Sequence, residues 1–167
     1  MKKTISVLCS LAIMLVCIGG CGAAAGNPFT ADDAIKGQIG DLYYAVPENA
    51  VLEEFPNDSA RFYNIPIENS AEEYMLNIAC ASVETDDDYD EAIQSMKDTE
   101  YENENLTDFL GEKVDYGYRA TVDVDDRKSI IVSAAKDHKV YVVQYIVKSG
   151  FYDQTVWDNF YAQLKFV

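Results

Sequence analysis

Three aspartates at alternating positions, Asp86, Asp88 and Asp90, give this 167-residue chain an acidic pattern that could bind a metal ion. Carboxylates at every second position are the ligands with which calcium loops begin. A calcium loop also needs a glycine at its sixth position and a glutamate at its twelfth, where this chain has Glu91 and Lys97. Aspartates also cap the free amides at the start of a helix. We therefore predict a solvated helix cap and no metal site, with Asp86, Asp88 and Asp90 as weak metal candidates.

The histidine and the cysteine that an active site could use both have structural interpretations. His138 is the only histidine of the chain and follows Asp137 between two β-prone runs, where a two-residue hairpin turn is expected. Catalytic triads and metal sites need an imidazole in a pocket beside a nucleophile or another ligand, which a turn tip does not offer. Cys80 lies in an apolar run and is predicted to be a core residue. The carboxylates are abundant, but their spacing selects no catalytic pair.

Cys21, which follows the apolar N-terminal segment, is a candidate for covalent modification. Lys2 and Lys3 precede an apolar run from Ile5 to Ile18, and Gly19, Gly20 and Cys21 follow it. The apolar run is about 14 residues long, whereas a membrane-spanning helix needs about 20. The order of basic, apolar and small residues is typical of a secretory signal, and the segment resembles bacterial lipoprotein signals. We predict a signal peptide over residues 1–20 and a lipid on Cys21; an ordinary signal cut after Ala25 is the alternative.

The charge of the chain restricts its partners. The formal net charge is −16 at pH 7, and removal of Lys2 and Lys3 with the signal would make it −18. Nucleic acids and anionic membrane surfaces attract proteins rich in lysine and arginine, so the sequence predicts no nucleic-acid binding. A partner with a basic surface, or a cation, is favoured instead.

Hydrophobic periodicity predicts a flexible tether over residues 21–40, with a short helix near Thr30 to Lys36 as an option, and a single α+β domain over residues 41–167. In that domain we expect a central antiparallel sheet flanked by helices. The predicted strands are Leu42 to Val46, Ala60 to Ile67, Tyr74 to Val83, Lys113 to Val124, Ser129 to Lys136 and Lys139 to Lys148. The predicted helices begin at Asp86 and at Asp153, the second ending at Leu164. The strand tyrosines Tyr116, Tyr118, Tyr141 and Tyr145 are expected in the core or on a sheet face, with a ligand-stacking surface as the alternative.

The order of these elements, the run Tyr44-Ala45-Val46-Pro47 and the spacing of Trp157, Phe160, Leu164 and Phe166 resemble the PsbP-like family. This family includes the extrinsic PsbP subunit of photosystem II, a Ran-binding nuclear-import factor and single-domain bacterial lipoproteins. The resemblance covers Asp41 to Val167. It implies an α/β/α sandwich and an accessory or binding role without catalysis.

The sequence therefore favours a lipoprotein anchored through Cys21 to the outer side of the cytoplasmic membrane, or to an outer membrane if the cell has one. We expect it to be a non-catalytic accessory module, with no cofactor, that contacts an envelope protein bearing a basic surface. A lipoprotein that binds a small ligand or a divalent cation is one alternative, and a carboxylate-based hydrolase is another.

Overall fold

The computed structural model describes Phe29, residues 32–53 and residues 58–167. The strands are β1 (Ile35–Ile39), β2 (Leu42–Val46), β3 (Val51–Glu53), β4 (Ala60–Pro66), β5 (Glu73–Ser82), β6 (Asn103–Asn105), β7 (Asp108–Phe109), β8 (Glu112–Lys113), β9 (Tyr116–Val124), β10 (Arg127–Lys136), β11 (Lys139–Lys148) and β12 (Lys165–Phe166). The helices are α1 (Asp86–Lys97) and α2 (Gln154–Tyr161), with a 3₁₀ turn at Ser149–Phe151. In this described part of the chain, no helix combines the length and the apolar character needed to cross a bilayer.

A seven-stranded antiparallel sheet in the order β3-β4-β5-β11-β10-β9-β6 forms the centre of the protein. A smaller antiparallel sheet, β1-β2-β12, and the short pair β7-β8 accompany it. The predicted α+β class is therefore confirmed, as are the central strands, whose ends lie close to the predicted ones.

Two tight turns join the consecutive strands β9, β10 and β11. Lys136 pairs with Lys139 across the β10–β11 hairpin, so Asp137 and His138 are its two loop residues. Both have positive φ angles, 50° and 60°, as the favoured two-residue hairpin turn requires. Asp125, in the β9–β10 turn, has a φ of 55°. The turn predicted at Asp137-His138 is confirmed.

The two helices pack on opposite faces of the large sheet, because successive residues of a strand point to opposite sides. One apolar cluster joins Ile130 and Val143 of the sheet to Trp157 and Phe160 of α2, and it includes the small sheet through Leu42. The other joins Tyr89, Ala92 and Met96 of α1 to Tyr118, Ala120, Ile131, Ala135 and Val140. Both faces of the central strands are therefore apolar, as the sequence indicated.

The start of the domain differs from the prediction. Ile35–Ile39 is a strand paired with β2 in a hairpin, so neither a tether to residue 40 nor a helix ending at Lys36 is correct there. Gly40, with a φ of 57°, makes the tight turn to Asp41, and Ile39 is buried. Phe29 is 1% exposed, and its ring centroid lies 5.6 Å from that of Phe160. A strand with only one buried side chain, Ile39, gives little hydrophobic periodicity, which explains the missed strand.

Two further differences concern segment ends. The stretch from Glu100 to Asp108, where no strand was predicted, contains the edge strand Asn103–Asn105. The last helix ends at Tyr161 rather than at Leu164. The predicted signal peptide, Cys21 and the first part of the predicted tether lie outside the described residues.

Candidate partner-binding surface

The aspartates at the start of α1 lie around a helix cap whose capping residue is Thr85. The Thr85 hydroxyl accepts a hydrogen bond from the Asp88 amide at 3.2 Å and donates one to the Asp88 carboxylate at 2.8 Å. The Asp86 carboxylate lies 3.2 Å from Nε2 of His138. Asp90 is exposed on the next turn of the helix. Among the residues that the structure describes, no three His, Cys, Asp or Glu side chains are grouped to hold a metal ion.

His138 connects the β10–β11 turn to α1. Its ring stacks on that of Tyr89, with centroids 4.7 Å apart and planes 16° apart. The Tyr89 hydroxyl donates a 2.7 Å hydrogen bond to Asp115, just before β9. These contacts hold the helix start against the sheet, so the histidine has a structural role at this position.

Cys80 is buried beside a charge network that fastens the small sheet to the large one. The Asp41 carboxylate accepts hydrogen bonds of 2.7 Å from Nζ of Lys139 and from the Tyr141 hydroxyl. Burial raises the pKa of Asp41, but these two bonds outweigh it and the net pKa is lowered. Burial, with a smaller effect of the Asp41 charge, raises the pKa of Cys80 to about 11. The thiol therefore stays protonated at neutral pH and is a poor nucleophile.

The tyrosines predicted for the core are mostly buried there. Tyr141 and Tyr145 lie in the cluster under α2, and Tyr118 lies in the cluster under α1. Tyr116 is half-buried at the edge of the α1 cluster, and its hydroxyl donates to Asn105. The prediction of core and sheet-face tyrosines is confirmed.

The basic side chains of the large sheet are engaged by nearby acids. Lys136 pairs with Glu112 at 3.0 Å and Lys148 with Glu72 at 2.9 Å, and Lys139 pairs with Asp41. These lysines come from the two central strands β10 and β11. Most of the positive charge of the sheet is thus paired with nearby acids. Less positive charge remains to balance the acids elsewhere.

Many of those acids lie on the exposed surface of α1 and of the segment that continues into β6. We call this region the α1–β6 acidic surface, although Glu104 lies on the side of the sheet that α2 covers. Its exposed carboxylates are Glu84, Asp86, Asp87, Asp88, Asp90, Glu91, Asp98, Glu100, Glu102 and Glu104. Lys97 is the one basic residue between positions 84 and 104. Among the described residues, Asp86 is the member of this set that lies beside a basic side chain, the His138 ring at 3.2 Å. The surface therefore carries a strong negative field.

An open cleft of about 410 Å³ lies beside β6 on the side of the sheet that α2 covers. Glu102, Asn103, Glu104, Arg119 and Thr121 line it. The Arg119 guanidinium lies 5.9 Å from the centre of the Trp157 ring, a contact that holds it against α2. The α1 aspartates were the candidate metal ligands, whereas neither the cleft nor the contribution of β6 was predicted. Glutamate and asparagine alternate from Glu102 to Asn105, and this all-polar run gives no hydrophobic periodicity from which an edge strand could be predicted.

The chain matches no known protein-family model and no curated protein sequence.

Proposed function

We propose that this protein is a membrane-anchored lipoprotein that acts as a non-catalytic binding module for a protein partner with a basic surface. The α1–β6 acidic surface is the observation that carries this proposal. Its ten carboxylates are exposed, whereas the lysines of the central strands are already paired with other acids. Unbalanced surface charge costs stability, so a complementary partner would relieve repulsion as well as gain attraction.

Electrostatic attraction also suits a tethered protein. Charged groups act over about 8 Å at physiological ionic strength, so the patch would steer a basic partner before contact. The cleft beside Arg119 offers a recess for one side chain of such a partner. We further propose that the domain is a PsbP-like α/β/α sandwich, a view supported by the packing of α1 and α2 on opposite sheet faces.

The membrane anchor in this proposal is the lipid on Cys21. Labelled palmitate supplied to growing cells should appear on the wild-type protein and be absent from Cys21→Ser, because the serine hydroxyl cannot form the thioether. The Cys17→Ser variant is the control, since that cysteine would leave with the signal. Equal labelling of all three proteins would contradict lipidation at Cys21 and remove the proposed localisation on the outer side of the membrane.

The binding role is tested by crosslinking on intact cells, followed by purification of the anchored protein. We expect a captured protein whose recovery falls steeply when salt is raised from about 0.05 to 0.5 M. The variant Asp90→Asn/Glu91→Gln/Glu100→Gln should recover less of it. A control with the same loss of charge elsewhere, Asp32→Asn/Asp33→Asn/Asp125→Asn, also replaces exposed acids and should recover as much as wild type. Equal recovery by both variants would show that the acidic surface is not the binding surface.

A further inference from the structure

The large sheet ends at β6, and the outer edge of this strand is unpaired in the part of the chain that the structure describes. The strand order places β6 last, with β9 as its neighbour on the inner side. Asn103, Glu104 and Asn105 are all exposed. An exposed edge strand presents backbone N–H and C=O groups with which a further strand can pair. The sheet can therefore be extended at β6 by another chain.

The pairing of β6 with β9 determines which backbone groups face outward. The Leu106 amide, just after β6, donates a 2.8 Å hydrogen bond to the Gly117 carbonyl of β9. In an antiparallel pair, positions that bond to the neighbouring strand alternate with positions that do not. Glu104 is therefore also a bonding position, and the backbone groups of Asn103 and Asn105 point to the open edge. No turn or loop of the described chain supplies a backbone hydrogen bond to those two residues.

Side-chain hydrogen bonds hold this edge in place. The side-chain amide of Asn103 donates to the Tyr101 carbonyl at 3.0 Å, and the Tyr116 hydroxyl donates to Asn105 Oδ1 at 3.3 Å. The asparagine side chains are thus engaged within the protein, whereas the outward backbone groups remain free to pair with a partner. A strand that is already ordered binds with a smaller loss of conformational entropy.

The same edge carries negative charge on the side of the sheet that α2 covers. Glu102 and Glu104 are exposed, and both line the open cleft beside β6. Arg119 is the one basic residue among those that line the cleft, and its guanidinium lies over the Trp157 ring. Two carboxylates and one guanidinium leave the cleft with a formal negative charge. A basic side chain entering beside β6 would therefore be attracted.

We propose that the β6 edge binds an extended basic segment of the partner, which adds to the large sheet as a further strand. The backbone of the segment pairs with the outward N–H and C=O groups of Asn103 and Asn105. Its lysine or arginine side chains, at every second position, contact Glu102 and Glu104. Strand addition of this kind derives affinity from main-chain hydrogen bonds and specificity from alternate side chains. This inference rests on the proposed binding function and names the chemistry and conformation of the partner segment.

A second copy of the chain is disfavoured as the occupant of this edge. Two β6 strands paired with each other would bring Glu102 and Glu104 of both copies together, and like charges on neighbouring strands are destabilising. The formal charge of −16 on each copy adds to this repulsion. A basic segment replaces the repulsion by attraction.

The probe is a fluorescent seven-residue peptide of alternating lysine and valine, titrated with the purified full chain in detergent and followed by anisotropy. Asn103→Pro removes one outward N–H group and should weaken binding about tenfold, the effect of losing one good hydrogen bond. Proline is tolerated in an edge strand where the N–H group faces solvent, so the variant should fold. The matched control Asn103→Ala loses the same side chain but keeps the N–H group, and it should bind like wild type.

Two modified peptides test strand pairing from the other side. Alternate amides of an added strand face β6, so N-methylation of either all the lysines or all the valines should abolish binding, and the other methylated peptide should still bind. Glu102→Gln/Glu104→Gln should weaken binding of the unmodified peptide about tenfold. Asp32→Asn/Asp33→Asn removes the same charge from other exposed positions and should bind like wild type.

Hydrogen exchange locates the edge that the peptide occupies. The amides of Asn103 and Asn105 should exchange quickly in the free protein and slowly in the complex. The amides of Val51–Glu53, in the strand at the other end of the sheet, should not change. Protection of Val51–Glu53 alone would overturn the inference.

Other results would also contradict strand addition at β6. These are no binding of the lysine-valine peptide up to about 1 mM, equal binding by folded Asn103→Pro and Asn103→Ala, and equal binding of both methylated peptides. If Asn103→Pro has a much lower Tm than Asn103→Ala, the methylated peptides and hydrogen exchange decide. Size-exclusion chromatography showing a dimer that Glu102→Lys/Glu104→Lys dissolves would mean that a second copy occupies the edge.

Crosslinking on intact cells separates this inference from the binding function. If folded Asn103→Pro captures the partner at wild-type yield, the β6 edge is wrong and the binding function stands. Peptide binding at β6 without any captured partner would support strand addition and contradict the proposed function.

Discussion

At the scale of single residues, Asp41 shows how one carboxylate joins two sheets. It follows the β1–β2 turn and contacts Lys139 and Tyr141 of the central strand β11. Such long-range contacts are set by tertiary packing, since nearly a hundred residues separate the partners in sequence. They could not be inferred from local spacing.

Replacement of Asp41 by asparagine should destabilise the fold in a pH-dependent way. The pKa of Asp41 is lowered in the folded state, so its contribution is complete above the ordinary value of 3.8 and is lost as the pH falls through the lowered folded value. We expect Asp41→Asn to lower the free energy of unfolding at pH 7 by about 1–2 kcal/mol, a modest loss because the carboxylate is partly exposed. Urea denaturation at pH 7 and near pH 2.5 measures the difference, which should shrink at the lower pH.

The control for this comparison is Asp125→Asn, which changes an exposed turn carboxylate. That variant should follow the wild-type curve at both pH values. A constant difference between Asp41→Asn and wild type across the pH range would contradict the proposed charge network.

At the scale of elements, α2 is the principal cover of one sheet face. Trp157 is 1% exposed and lies among the rings of Tyr145, Phe160 and Tyr161. Trp157→Ala should lower the free energy of unfolding by about 3–5 kcal/mol, the usual cost of emptying a large aromatic site. Guanidinium denaturation provides the measurement, with the exposed Phe151→Ala as control. A wild-type midpoint for Trp157→Ala would mean that α2 is not packed on the sheet.

The β1–β2 hairpin provides a second test, because the sequence predicted β2 but no strand over Ile35–Ile39. A Cβ atom on Gly37 would overlap the ring of Tyr44, its cross-strand partner. The Tyr44 hydroxyl also hydrogen-bonds that of Tyr63 at 3.0 Å. Gly37→Ala should therefore cost about 1–3 kcal/mol through steric strain. Thermal unfolding measures this change, and a neutral effect would favour an unstructured segment before Asp41.

The central strands and the tight β10–β11 turn could be predicted from the sequence, whereas the short edge strands and the contacts between distant strands could not. The central strands were predictable because apolar side chains on both faces, as in Val140 to Val147, indicate a strand covered on two sides. The Asp137-His138 turn was predictable from local backbone preferences. The row of buried polar side chains formed by Asn77, Gln144 and Ser129 was not, since only strand register brings these residues together. Short edge strands such as Asn103–Asn105 lack periodicity and were missed for that reason.

At the scale of the whole molecule, the uneven distribution of charge explains how an acidic protein remains folded. Basic residues of β10 and β11 pair with acids around the sheet in partly exposed salt bridges. Ten other acids lie along α1 and the segment through β6, where water solvates them. The repulsion within the α1–β6 acidic surface is therefore a stability cost that salt can screen.

The size of that cost can be measured directly. Raising sodium chloride from about 10 to 300 mM shortens the Debye length from about 30 to below 8 Å, so the free energy of unfolding should rise by about 0.5–1 kcal/mol. The variant Asp90→Asn/Glu91→Gln/Glu100→Gln should be more stable than wild type at low salt and respond less to added salt, because part of the repulsion is already gone. The control Asp32→Asn/Asp33→Asn/Asp125→Asn removes equal charge from other exposed positions and should keep most of the wild-type response. Equal salt responses in the two variants would mean that repulsion is spread over the whole protein. The α1–β6 acidic surface would then not be the main source of the salt-dependent loss of stability.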